Sequence, residues 1–186
     1  QVFGGHGYVK EWGMEQIVRD ARISTIYEGT TGIQALDLLG RKVLMTQGES
    51  LKRFTKKVHL FCKEQADNES ISEFIEPLQS MNKEWGDITM KLGMSAMKDR
   101  EEVGAASFDY LMYSGYAVTA YLWARTAEVA QRKLQEGTSE EAFYTAKLQT
   151  ARFYFNRMLP RAKAHADAMA SGAGTLMEMP EEHFAF

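Results

Sequence analysis

Apolar residues recur along most of this chain at the three- and four-residue intervals of an α-helix. Met14, Ile17, Val18 and Ala21 fall at i, i+3, i+4 and i+7, which predicts a short helix with one apolar face. The β-branched and glycine-rich stretch "RISTIYEGTTG" then breaks the pattern. A second helix is expected after it, with Thr30 or Thr31 as N-cap and Ile33, Leu36, Leu39 and Val43 as its apolar positions. Its last turns carry Arg41 and Lys42, where the helix dipole favours cations. "TQGES" (Thr46 to Ser50) reads as a linker.

Beyond that linker the helices lengthen. Leu51, Phe54, Val58 and Phe61 mark one that "ADNES" ends, and Phe74, Leu78, Met81, Trp85, Ile88 and Leu92 mark a longer one with Pro77 in its early turns. "KDREEVG" (Lys98 to Gly104) reads as a corner. Phe108 to Leu134 is a third long helix, unusually aromatic, and its tyrosines are expected to pack in the core. Gly137 ends it, and Thr138 with Glu141 has the spacing of a capping box for the next helix. That last helix is expected to run towards Met169 with a kink at Pro160. No stretch alternates with period two for the length of a strand. The expected fold is therefore all-α, an antiparallel helical bundle. A division near Gly48 separates residues 1–48, a short front piece, from residues 49–186, a helical-bundle domain.

With 186 residues, 45% of them hydrophobic and 25% charged, the chain can bury a real core. A net charge of -3 gives no basic excess of the kind that meets nucleic acid. The one cysteine, Cys62, cannot form an internal disulfide and reads as a small buried hydrophobe in a reducing compartment. The longest uncharged run, Leu111 to Ala124, is too short and too rich in hydroxyls to span a bilayer. A soluble protein is expected. Because the chain begins with Gln1 and "QVFGGHG" already has the look of a site interior, a piece of a longer protein is expected too.

Glu28 is the first candidate for chemistry. It follows the apolar Ile26 and Tyr27 and precedes Gly29 at the mouth of a helix. A carboxylate among apolar groups has its charged form disfavoured, which raises its pKa and suits it to act as a base towards a weak carbon acid. Gly29, lacking a side chain, would let a ligand lie against the backbone, and the free N–H groups of the helix start favour a negative or carbonyl-bearing group. A solvated surface loop remains the alternative. "GGHGY" (Gly4 to Tyr8) offers either backbone N–H groups for a phosphate or a tight turn. His6 has no partner at metal-ligand spacing, so no metal site is expected. His59, His165 and His183 are scattered, and no phosphate-binding lysine loop or serine nucleophile elbow is present.

"QVFGGHGY" followed by "VRDARISTIYEGTTGIQ" closely resembles the C-terminal catalytic segment of the acyl-CoA dehydrogenase family, over roughly the first 45 residues. The glutamine–glycine block, Arg19–Asp20 and Ile26–Thr30 match in order and spacing. The later blocks "FDYLMYSGYAVTAYLWAR" and "FYTAKLQTARFYFNRMLP" resemble the extra C-terminal helical domain of the larger, mostly bacterial members.

This resemblance implies a fragment of a flavin-dependent acyl-CoA dehydrogenase, which desaturates an acyl-CoA thioester between its α and β carbons. Glu28 falls on the catalytic base and Gly29 on a substrate-contacting position. Gln1, Val2, Phe3, Gly4 and Gly5 fall on the stretch that touches FAD held mainly by a neighbouring subunit, so a homo-oligomer is implied. Thr30, Thr31 and Gly32 fall on a flavin-contacting turn. Where some relatives carry a substrate-side arginine this chain has Gly40, so Arg41 receives no such role, and Gly32 replaces a larger polar residue of many relatives. The implied electron acceptor is an electron-transfer flavoprotein, and the implied setting is the bacterial cytoplasm, with the mitochondrial matrix as alternative. The isolated chain is expected to be inactive, since most of the FAD site lies elsewhere. Two other readings stand beside this one: a non-catalytic helical oligomerisation module of such an enzyme, and an acyl-CoA oxidase.

Overall fold

The front of the chain is a run of tight turns around one short helix. The computed structural model describes residues 1–27 and 30–184, and its contacts divide the chain into two units, Gln1–Gln34 and Ala35–Phe186. In the first unit, 3₁₀ turns at Gly4–Gly7 and Lys10–Trp12 lead through Gly13, at φ 69°, into α1, Met14–Arg22. Beyond α1, the hydroxyls of Ser24 and Thr25 donate to the carbonyls of Ala21 and Arg22 and tighten the turn Ile23–Thr25. The expected apolar face of α1 is present, yet Ile17 and Val18 are about 60% exposed, and no described side chain of residues 1–34 is buried.

Helix α2, Thr31–Leu36, does not continue as an ordinary α-helix. From Asp37 to Leu44 it widens into a π-helix, visible in the bond from the Met45 N–H to the Gly40 carbonyl at 2.9 Å. The wide turn brings Asp37 against both Arg41 and Lys42, the latter at 2.9 Å. Ala35, Leu39 and Val43 point inward and are buried.

The second unit is a helical bundle. Its members are α3, Glu49–Glu64; α4, Ser72–Ala96; and α5, Glu101–Glu136. The fourth arm runs through α6, Glu141–Phe153, a π turn at Tyr154–Met158, a 3₁₀ turn at Leu159–Arg161 and α7, Ala162–Ala170. A short α8, Gly174–Met177, follows. Short corners reverse the chain between successive arms, and α5 is the central helix, packed on α4, α6 and α7, while α3 packs on α4.

Alanines at 106, 117, 120, 124, 127 and 130 of α5 are all buried, and their small size lets the neighbouring helices approach closely. The tyrosines fill the space between. Tyr110 and Tyr113 are fully buried, and each places its hydroxyl on a partner: Tyr110 on the Thr89 hydroxyl at 2.8 Å, Tyr113 on the Glu84 carboxylate at 2.7 Å. Tyr121 is buried as well, so the core role expected for these tyrosines holds, while Phe108 of the same helix is half-exposed. Cys62 is buried as expected.

Two local expectations need correction. The corner before α5 is shorter than Lys98 to Gly104, because the Asp99 carboxylate accepts the Glu101 N–H at 2.9 Å and starts the helix there. The capping box at Thr138 does not form: its hydroxyl accepts the Glu140 N–H at 3.1 Å, and α6 begins one residue later. Among the described residues there is no strand, and no helix is long and apolar enough to cross a membrane.

Candidate functional site

The candidate residues fall at the two ends of the first unit. Gln1 to Gly5 form an exposed turn in which the Gly4 N–H donates to the Gln1 carbonyl at 3.0 Å and the His6 N–H to the Phe3 carbonyl at 3.2 Å. Gly4 sits at φ 55°, a left-handed conformation that only glycine adopts without strain. A Cβ added at Gly4 or Gly5 would meet nothing within 4 Å, so this backbone is open to close approach. His6 packs edge-on against Trp12 with ring centroids 5.6 Å apart.

Thr30, Thr31 and Gly32 lie at the start of α2, where the Thr30 carbonyl accepts the Gln34 N–H at 3.1 Å. All three are exposed, and Gly32 again has open space where a Cβ would go. Glu28 and Gly29 lie outside the described residues. Arg19 and Asp20 are held along α1: Arg19 reaches Glu15 at 2.8 Å and Gln16 at 2.7 Å, and the Gln16 amide donates to Asp20 at 2.8 Å. Among the described residues no hydrogen bond joins the Gln1–Gly5 turn to Thr30–Gly32. No group of His, Cys, Asp and Glu among them could hold a metal ion.

Two stretches of sequence therefore supply open, glycine-bearing backbone. The second unit holds the larger recesses, one of them between α3 and α4 with Lys52, Lys56, His59 and Lys83 on its walls. The sequence-based expectations passed over it, although "LKRFTKKVHL" shows Lys52, Lys56 and His59 one turn apart.

Comparison with known proteins decides the family. Residues 54–180 match the family described as "Acetyl-CoA dehydrogenase C-terminal like", and residues 1–56 match "Acyl-CoA dehydrogenase, C-terminal domain". The chain belongs to the acyl-CoA dehydrogenase family. It is 32% identical to a 3-methylmercaptopropionyl-CoA dehydrogenase of Ruegeria pomeroyi over 95% of this chain and 30% of that protein. It is 30% identical to a broad-specificity linear acyl-CoA dehydrogenase of Mycobacterium tuberculosis over 99% of this chain and 31% of that one. The chain thus spans just under a third of the length of these relatives. A shorter match, 48% identical over 40 residues, links 22% of this chain with 11% of a caffeyl-CoA reductase–Etf complex subunit of Acetobacterium woodii. The all-helical architecture is that of the family's C-terminal domain.

Proposed function

We propose that this chain is the C-terminal part of an acyl-CoA dehydrogenase and that Glu28 is its catalytic base. What carries the reading is the match of residues 1–56 to the family's C-terminal domain, a span that contains Glu28 and its neighbours. The relatives' names, which specify acyl-CoA dehydrogenases, support the substrate class.

In this reading the Glu28 carboxylate takes the proton from the α carbon of the thioester, and the electron pair of that C–H bond becomes the α,β double bond as the β carbon loses a hydride. FAD, when bound, would supply the hydride acceptor at N5. The ordered role of this chain's own residues is to position and shield. Gly29, lacking a side chain, would let the thioester lie against the backbone, and Ile26 and Tyr27, more than half exposed on this chain, would shield the carboxylate once the rest of the enzyme covers them. The open backbone at Gly4, Gly5 and Gly32 fits the edge of a flavin, with Gln1, Val2, Phe3, Thr30 and Thr31 around it. Those residues can hold only a rim of so large a group, because all of them are exposed on this chain. A neighbouring subunit would supply more of the site. The Etf complex named for one relative favours an electron-transfer flavoprotein as acceptor, and the bacterial relatives favour a bacterial cytoplasmic setting.

Anaerobic mixing of acyl-CoA thioesters with a polypeptide of the relatives' full length that carries this chain tests the base. Flavin absorbance should bleach rapidly, and Glu28→Gln should slow the bleaching by about a thousandfold or more. Equal rates in both would place the base elsewhere. The 186-residue chain alone should purify colourless and without turnover; stoichiometric flavin on it would overturn the rim assignment.

A further inference from the structure

Some surface cations are matched by acids at helical spacing: Arg41 and Lys42 meet Asp37, Arg132 and Lys133 meet Glu136, and Lys163 meets Asp167. Helix α3 is the helix on which cations are gathered along a recess. In a chain of net charge -3 it carries Lys52, Arg53, Lys56, Lys57 and Lys63 against Glu49 and Glu64. Among the described residues neither Lys52 nor Lys56 makes an ion pair, and nor does Lys83 on the facing wall of α4. These three lysines line a recess of about 900 Å³ between α3 and α4, and among the described residues Glu76 is the only acid on its wall.

A second recess of about 820 Å³ continues from the first, the two sharing Lys52, Thr55 and Gly86. Its lining is of the opposite character. Leu44, Leu51, Met90, Met94 and Met97 form its walls, with the methionines more than half exposed. Gln47 and Thr55 line it as well, and the Thr89 hydroxyl is already engaged by the Trp85 carbonyl and the Tyr110 hydroxyl, both at 2.8 Å. The helical glycines Gly86 and Gly93 leave the floor low, and nothing stands within 4 Å of where a Gly86 Cβ would be. One trough therefore runs along α4 from a cationic end to an apolar end. From Lys83 to Met94 the helix rises about 16 Å.

We propose that this trough is a binding site for an acyl-CoA thioester, separate from the Glu28 region, with the acyl chain along the methionines and the phosphates between the lysines of α3 and α4. An apolar channel with a charged mouth calls for an amphiphile. Three unpaired lysines against one glutamate call for a head with several negative charges, which a fatty acid or a monophosphate lipid does not supply. Unbranched, polarizable methionine side chains repack readily around chains of different length. That the polyphosphate amphiphile is a CoA thioester rests on the family reading above; the trough chemistry itself does not.

Calorimetric titration of the 186-residue chain, at low salt and below micelle formation, tests it with decanoyl-CoA, CoA, decanoate and decanoyl lysophosphatidylcholine. Decanoyl-CoA should bind saturably at one site, about tenfold or more tighter than each of the other three. Lys52→Glu with Lys56→Glu should weaken it about tenfold, and Gly86→Leu, which fills the junction of the two recesses at an unstrained helical position, should abolish it with the melting temperature kept. CoA binding as tightly as decanoyl-CoA, with Gly86→Leu without effect, would leave only a cationic patch and overturn the proposal. Decanoate or the lysolipid binding as well as the thioester would overturn it in favour of a merely apolar groove, and so would the absence of saturable binding. Because the readout is binding to the 186-residue chain, which should carry no flavin, failure of the trough is distinguishable from failure of the base assignment, which is read from flavin bleaching.

Discussion

Cys62 shows what burial does to a single titratable group. Its thiol is enclosed in the bundle, and the loss of solvent pushes its pKa up from 9.0 to about 11. Burial raises the Tyr154 phenol from 10.0 to about 12 in the same way. For an acid whose folded pKa lies above its unfolded one, stability is fully present below the unfolded value and is lost as pH rises towards the folded value, because only the unfolded chain releases the proton. Stability against denaturant should therefore fall between pH 9 and 10 through Cys62 and more steeply above pH 10 as the tyrosines join. The Cys62 share amounts to about 3 kcal/mol at its limit. Cys62→Ala should flatten the first part of that slope; parallel slopes in the two proteins from pH 9 to 10 would show that the thiol is not held neutral. On the acid side the hydrogen bonds from Arg41 and Lys42 lower the Asp37 pKa. Its contribution is present above the ordinary carboxylate range, near pH 4, and lost as pH falls below it.

Glycines within the helices test how far local backbone preference governs each element. Gly115 is exposed in the interior of α5 with nothing within 4 Å of an added Cβ, so Gly115→Ala should stabilise the fold by about 0.5–1 kcal/mol. Gly172 is the opposite case. It sits at φ 74°, and a Cβ there would come within 3.2 Å of the Glu102 carboxylate, the same side chain that accepts the Ala173 N–H at 3.1 Å. Gly172→Ala should cost about 1 kcal/mol or more and loosen the docking of the residues before α8. Thermal melts of the two variants should shift in opposite directions, and a shared direction would count against this account. The elements themselves were largely legible, because apolar residues such as Phe74, Leu78, Trp85 and Leu92 mark a buried face by spacing alone. What spacing could not show was the i→i+5 turns at Asp37–Leu44 and Tyr154–Met158, since a π turn preserves nearly the same apolar stripe while changing the hydrogen-bond ladder. The capping box at Thr138 misled for a similar reason: two competing acceptor geometries share one sequence signature, and the hydroxyl took the nearer N–H.

At the scale of the molecule, the contrast lies between a unit with a core and a unit without one. Residues from Leu39 to Met169 supply one continuous cluster of buried apolar side chains, whereas the described residues of Gln1–Gln34 bury none. The same contrast explains what could be read of the candidate site. Its residue types and their order along the chain were legible, because a family motif is linear, and the family match follows from them. Its enclosure was not legible, because the surfaces that would cover Ile17, Val18, Ile26 and Tyr27 are not encoded in these 34 residues. The trough between α3 and α4 escaped for another reason, since its two walls come from separate helices and its lysines look like ordinary surface charge on each. An element that buries no apolar face has little beyond its own weak helix propensity to hold it, and nine residues of α1 fall short of the length at which an isolated helix persists in water. Native-state hydrogen exchange on the 186-residue chain should therefore find the amides of Gln16–Arg22 exchanging at least about a thousandfold faster than those of Tyr110–Ala130. Comparable protection in both would mean that the apolar face of α1 is covered in solution. If that protection vanished on dilution, a second copy would be the cover. In a polypeptide of the relatives' full length the α1 amides should instead be protected, since a base that removes a carbon-bound proton works only where water is kept out.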